Sequence, residues 1–457
     1  MSAPLEPSEG PARGPSPEPS PAAKPPRPKP RVRRADREQL LPPMPLDGLL
    51  EDDHQARLVW QFVGGLDLSC LYDAIKAVEG HPGRPPADPP VLVALWLYAT
   101  LEGVGSARAL DYLCTHHNAF RWLTGGVSLN YHTLADFRTR HLDLLDSLLT
   151  HSVAVLREQG LVDLNRVAHD GLRVRASAGA ASFRRQPTLD ECLQEARTQV
   201  ERLRAELDED RASGNRRQRK AKGRAARERQ QRLEQALARL PELQAKKKAD
   251  EKDKARCSST DPEATVMKMA DGGYRPAYNF QYTADTQGQA VVAVEVLTTG
   301  SDQGGLLPAL EQVNERFAAY PQEALADGGF ATHGDIEALG APEVGCTVYA
   351  PVPEPKDPSR DRHTPLPGDS PAVAAWRLRM GAEEAKAIYK QRAATIECVN
   401  AQARNRNLRL LTVRGRLKAK AVALWYALAH NVRRAISLGA ALVRRALPVR
   451  AEPAAQG

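Results

Sequence analysis

The chain has 457 residues with a formal net charge of +8, 42 % hydrophobic and 26 % charged. That length suits about three ordinary domains and a sizeable buried core, and the positive balance favours a polyanionic partner, nucleic acid or a membrane surface. Six cysteines stand singly with no C-x-x-C pair, which argues against a zinc ribbon and a disulfide framework and points to a reducing cytosol. Cys114, His116 and His117 form the one tempting metal cluster, but no second ligand pair follows at finger spacing. No apolar run approaches the ~18 residues that span a bilayer, and the polar, Pro-rich start lacks a signal-peptide core, so no membrane partner and no export are expected.

Residues 1–44 are rich in Pro, Ala, Ser and Glu and turn basic at "KPPRPKPRVRRADR", a composition expected to stay disordered, as a solvated tail or as an arm touching DNA backbone. Residues 45–160 form an all-helical N-terminal region for DNA binding or assembly. "PVLVALWLYATLEG" predicts a buried helix closed by Gly103, and "SARALDYLCTHH" restarts at Ser106. "NYHTLADFRTRHLDLLDSLLTHSVAVLREQG" predicts one long helix. Short helices followed by His132, Thr133, Arg138, Arg140 and His141 are compatible with a helix-turn-helix reading DNA ends, or with a plain docking or dimerisation bundle.

Residues 189–255 carry a heptad seam through Leu189, Leu193, Ala196, Val200, Leu203 and Leu207. "DRASGNRR" breaks it, and Ala226, Leu233, Leu237 and Leu240 resume it. The expectation is an antiparallel helical hairpin whose second, basic arm lies along DNA phosphates or simply faces solvent. The flanking segments, 161–188 and 256–445, alternate strands and helices. "AYNFQYTADTQGQAVVAVEVLTTG" reads as two strands joined at "DTQGQ", with Gly288 supplying the unusual backbone angle. A helix, a short strand ending at "ADGGF" and another strand at "GCTVYAPVP" follow. Beyond a Pro-rich loop at 353–371 come a helix over roughly 382–403 and a core-packing helix with Leu417, Ala421, Leu424, Leu428, Val432 and Ile436 on one face. Residues 446–457 form a disordered tail.

Without the hairpin the second half is a mixed α/β unit around a central sheet. Asp170 lies within the strand of "RVAHDGLRVRASAG", and Asp327 ends another strand beside Gly328 and Gly329. Glu397 sits on a helix whose Ile396, Val399 and Ala403 face the sheet, so the helix is able to present Glu397 to the two strands. Each alone reads as a turn residue or half an ion pair. Three carboxylates gathered in a basic protein make chemical sense as ligands of Mg²⁺ or Mn²⁺, where two ions roughly 3.5 to 4 Å apart serve phosphoryl transfer. Arg173 and Arg175, at alternate positions after Asp170, are then available to phosphates. Asp302 reads as a helix cap, and Asp261 and Asp271 as loop residues.

These residues resemble a DDE-class prokaryotic insertion-sequence transposase. The resemblance rests on "HDGLRVRASAGAASFRR", "DPEATVMKMADGGYRPAYNFQYTAD", "ALADGGF", and Tyr389, Arg392, Glu397 and Arg404. "PPVLVALWLYATLEGVGSARAL" resembles the helical domain that precedes the core in many such enzymes. It implies a ribonuclease H-like mixed-sheet core interrupted by a coiled-coil insertion, with Asp170, Asp327 and Glu397 as metal ligands. Tyr389, Arg392 and Arg404 would belong to a signature helix gripping the element end. The implied partners are double-stranded DNA, as terminal inverted repeats and target, and a second copy of the chain at least. The implied compartment is the cytoplasm, at the nucleoid. A silent DNA-binding repressor and a nuclease that does not join strands are the alternatives. The family signature has three residues between Arg and Glu. Here four separate Arg392 from Glu397, and on a regular helix the extra one rotates Glu by about 100°.

Overall fold

The computed structural model describes residues 44–75, 77, 85–209 and 216–440, with backbone alone at 207–209, 216 and 217. Residues 1–43 of the expected arm, the tail at 446–457, the hairpin break at 210–215 and the Leu207 side chain lie outside the described residues.

After a 3₁₀ turn at Leu46–Leu49 come, among the described residues, seven α-helices: α1 (Gln55–Gly64), α2 (Ser69–Asp73), α3 (Pro89–Leu101), α4 (Ala107–His116), α5 (Asn118–Thr124), α6 (Tyr131–Arg140) and α7 (Leu142–Glu158). Prolines in its first turn cost α3 no hydrogen bond, and Gly103, at φ +69°, turns the chain out of it. Apolar on all sides, α3 is enclosed by its neighbours, and the Trp96 indole donates to the Leu134 carbonyl at 3.0 Å. Ser106 caps α4 as expected, accepting from the Ala109 amide.

The stretch expected as one long helix is two. His141 leaves helical geometry at φ −110°, ψ 54° between α6 and α7. Leu134, Phe137, Leu145 and Leu148 are all buried at helical spacing across the break, so periodicity does not betray it. A second correction concerns Arg138, grouped above with the DNA-facing residues. It is buried, donates to the Gly105 carbonyl (2.6 Å) and Thr412 Oγ1 (3.1 Å), and lies 4.8 Å from the Trp96 ring centroid. Its guanidinium is tied up inside the protein.

The sheet region follows as β1 (Arg166–Arg175), β2 (Phe183–Arg184), α8 (Gln186–Glu209), α9 (Arg216–Ala245), β3 (Cys257–Ser258), β4 (Thr265–Lys268), β5 (Tyr274–Asp285), β6 (Val291–Leu297), α10 (Leu306–Phe317), β7 (Glu323–Ala326), α11 (His333–Leu339), β8 (Thr347–Tyr349), α12 (Pro371–Gly381), α13 (Glu383–Arg392), α14 (Cys398–Asn405) and α15 (Arg416–Ser437). Among the described residues, six strands make one mixed sheet in the order β6, β5, β1, β7, β8, with β4 sharing the β5 edge. β1 is antiparallel to β5 and parallel to β7, and β7 is parallel to β8. β2 and β3 pair at the root of α8 and α9. Those two helices form the expected antiparallel hairpin, with Leu189, Leu193 and Ala196 packed on Leu233, Ala236 and Leu240, and with Arg229–Glu195 and Arg197–Glu234 pairs across it.

Three expectations change here. In the β5–β6 turn the positive φ belongs to Gln289 (57°). Gly288 is required for space instead, because a Cβ there would meet Leu161 O at 2.6 Å. Helix α12 was not expected from the sequence, and the helix expected over 382–403 is α13, a π-helical turn at Ala393–Glu397, and α14. Finally, α15 is buried nearly all round between α3, α6 and α7 on one side and β5 and β6 on the other, while Leu417 is exposed. Through α15 the helices and the sheet share one continuous apolar core. The fold is thus mixed α/β, a helical N-terminal region against a mixed sheet. Among the described residues no helix is long and apolar enough to cross a membrane.

Candidate active site

Adjacent parallel strands bring the two aspartates together. His169 pairs with Ala326 in the β1–β7 register, so Asp170 and Asp327 are the next residues on neighbouring strands. β1 continues to Arg175, so Asp170 lies mid-strand, whereas β7 stops at Ala326 and frees Asp327 into a turn. Gly329 donates its amide to Asp327 Oδ1 at 3.2 Å, and nothing lies near the space its side chain would fill. Glu397 comes from the π turn, held down by buried Ile396, Val399 and Ala403 as expected.

All three carboxylates meet at Arg392. Its Nη1 lies 2.8 Å from Glu397 Oε1, and its Nη2 lies 3.4 Å from Asp170 Oδ1 and 3.9 Å from Asp327 Oδ2. The π turn makes this possible. On a regular α-helix a separation of five residues turns one side chain roughly 140° from the other, and the wider turn absorbs the surplus residue. Side-chain exposure rises from 20 % at Asp170 to 53 % at Glu397 and 61 % at Asp327, so the cluster is closed at its base and open to solvent above.

Burial raises the Asp170 carboxyl above its ordinary range, while Arg392, the Gly171 amide and Asn400 pull it back down. Buried Asn400 donates Nδ2 to Asp170 Oδ2 at 3.1 Å, a partner the sequence reading missed. Its position three residues after Glu397, on the same helical face, was the available signal. Half-buried Tyr389 stands in the same field. Burial first, then the three carboxylates, push its hydroxyl up against the opposing effect of Arg392.

Beside the cluster opens a cleft of about 620 Å³ that reaches Asp327 and is lined by five arginines, Arg173, Arg175, Arg275, Arg404 and Arg409. Arg404 and Arg175 are exposed there. Arg173 is engaged with the Lys268 and Gly300 carbonyls and with Asp302. Asp302 is not the expected helix cap. The α10 N-terminus has no side-chain cap, and Asp302 instead accepts from Asn279 Nδ2 at 2.6 Å on the cleft wall. Asp271 turns the chain before Arg275, and Asp261 is buried, accepting from Tyr278 Oη (2.7 Å) and the Gly415 amide (3.2 Å).

Among the described residues no group of three or more His, Cys, Asp or Glu side chains is disposed to hold a metal ion as it stands. Asp170, Asp327 and Glu397 converge on a guanidinium instead. Their chemistry nevertheless fits a hard divalent cation, since the donors are carboxylate oxygens already gathered around one positive charge.

Residues 44–140 match the family described as Transposase domain (DUF772), and residues 356–436, which include Glu397 and Arg404, match Transposase DDE domain. No curated protein and no solved structure matches the chain. Both segments are those of transposases. Together the two matches support a DDE-class insertion-sequence transposase.

Proposed function

We propose that the protein binds the terminal inverted repeats of its own insertion sequence, cleaves the DNA at the element ends in a metal-dependent reaction, and joins the freed 3′ ends to target DNA. The observation that carries this reading is the convergence of Asp170, Asp327 and Glu397 from two neighbouring strands and a helix onto one cation, beside an arginine-lined cleft. The strand order, with β5 antiparallel to β1, and β6, β7 and β8 all running in the β1 direction, supports a ribonuclease H-like core interrupted by the hairpin at 189–255.

Mg²⁺ or Mn²⁺, as a pair, would be held by Asp170, Asp327 and Glu397. Bound there, such ions supply activation of the attacking oxygen and stabilisation of the leaving one. The chain's own groups do the positioning. Asn400 fixes one Asp170 oxygen, and Arg175 and Arg404 take backbone phosphates along the cleft. The helical region at 45–160 and the basic face of α9 read or grip the ends, and the working species is at least a dimer on DNA in the prokaryotic cytoplasm.

The test is cleavage of labelled DNA carrying the flanking sequence of the gene, with Mg²⁺, with EDTA, and with Asp170→Asn. Nicks at a defined position that vanish with EDTA and with the variant are expected, and unaltered cleavage by Asp170→Asn overturns the assignment. Binding without cleavage under any condition favours a silent repressor. Cleavage without joining to a target plasmid favours a nuclease.

A further inference from the structure

We propose that Arg392 is the resident counter-cation of the carboxylate site, holding Asp170, Asp327 and Glu397 together until a divalent cation displaces it. The inference rests on reading those carboxylates as metal ligands. It adds a role for the arginine in loading the site.

The guanidinium faces one oxygen of each carboxylate: Glu397 Oε1, Asp170 Oδ1 and Asp327 Oδ2. Three carboxylates this close repel one another, and a single positive charge among them is what lets them share the space. Yet the arginine is held loosely. Only the 2.8 Å contact to Glu397 has the length of a good charge-assisted hydrogen bond, and the contacts at 3.4 and 3.9 Å do not. Arginines with a permanent structural duty in this chain look different. Arg316 donates to the Asp146 carbonyl, Asp146 Oδ1 and Thr150 Oγ1, all within 3.0 Å, and Arg377 Nε meets Asp369 at 2.7 Å.

A divalent ion using the same oxygens would stand beside a like charge in a sheltered site, which is strongly unfavourable. The guanidinium must therefore withdraw as the ion enters. Asp327 opens onto the arginine-lined cleft, so the displaced side chain moves toward that cleft and joins Arg404 and Arg175 on the DNA path. Loading the site and strengthening its hold on phosphate are then one event.

The experiment is Mn²⁺ binding to the full chain without DNA, followed by the paramagnetic resonance of free Mn²⁺, for the natural protein, Arg392→Gln, Arg392→Lys and Asp327→Asn. Removing the competing charge is expected to tighten Mn²⁺ binding at least about tenfold in Arg392→Gln, with Arg392→Lys remaining close to the natural protein. In EDTA, Arg392→Gln is expected to melt lower than the natural protein, and Mn²⁺ is expected to raise its melting temperature by more. Unchanged or weaker binding by Arg392→Gln, with binding abolished in Asp327→Asn, overturns the counter-cation role while leaving the metal reading intact. Binding by none of the proteins, or binding indifferent to Asp327→Asn, defeats the metal reading itself. A variant-free measurement covers a folding failure. Phenylglyoxal modification of Arg392, mapped by mass spectrometry, is expected to rise when Mn²⁺ is added, and equal reactivity with and without Mn²⁺ overturns the proposal.

Discussion

Arg392 and Glu397 are ion-paired across five residues, Nη1 to Oε1 at 2.8 Å, because the helix between them widens into a π turn over Ala393–Glu397. Single-residue π bulges of this kind recur at functional sites, where an inserted residue re-aims a side chain without breaking the helix. The surplus is carried by exposed Ala393 and Ala394.

Deleting Ala394 places the pair at i,i+4, where regular helix geometry already makes side chains neighbours. That variant is expected to fold, to melt within a few degrees of the natural protein and to keep end cleavage. A further alanine inserted after Ala394 is expected to swing Glu397 away by about 100° and to abolish cleavage with all three carboxylates retained. Thermal melts and a nicking assay on the two variants check both, and cleavage surviving the insertion contradicts the geometric argument.

Asn400 tunes Asp170. In Asn400→Leu the carboxylate loses a donor to its ionised form, so its pKa, already raised by burial, rises further. The acid limb of the cleavage profile is expected to move to higher pH. The stability cost is small, about 1 kcal/mol, since the substitution also removes the buried, unpartnered Oδ1. A pH–rate profile checks this, and an unmoved acid limb would show that Asn400 only packs.

Asp285 makes part of the fold sensitive to pH. Burial lifts its carboxyl to about 6, against hydrogen bonds from the Gly288 and Leu164 amides that lower it. Below about pH 4 both folded and unfolded chains hold the proton. Between about 4 and 6 the unfolded chain releases it and the folded chain keeps it, so stability falls as pH rises, by on the order of 3 kcal/mol in all, and then levels off. Denaturant unfolding of Asp285→Asn at several pH values is expected to lack that component, read as the difference from the natural protein.

Arg138 serves the core. Arg138→Leu is expected to cost about 2 kcal/mol, because the buried guanidinium no longer makes its charge-assisted bonds to the Gly105 carbonyl and Thr412 Oγ1. Arg140→Ala, which breaks only an exposed pair with Asp136, is expected to cost no more than about 0.5 kcal/mol. Comparable losses in chemical denaturation would refute the distinction between these neighbours.

Much of this architecture is legible one residue at a time. Ser106, Gly103 and the prolines opening α3 mark helix ends through backbone chemistry that acts locally. The seam of α8 and α9 shows in its spacing. The acidic residues at 170, 327 and 397 stand out because each interrupts an apolar element or ends one beside glycine. What they do together is not local. The two aspartates are 157 positions apart and meet only because β1 and β7 pair in parallel at one register.

The sequence by itself determined the basic balance, the helical start, the hairpin and the three acidic residues, since these follow from composition and from periodicities of a few residues. Tertiary structure alone decided the rest. It put Arg138 inside and left Arg140 outside, moved Asp302 from a helix cap to the cleft wall, and broke the long helix at His141. It also turned an apparent misfit of one residue before Glu397 into a π turn that closes the site around Arg392. The physical reason is common to all of them. A helix tolerates an inserted residue, and a charge tolerates burial, only when distant partners compensate, and those partners are brought near by the fold.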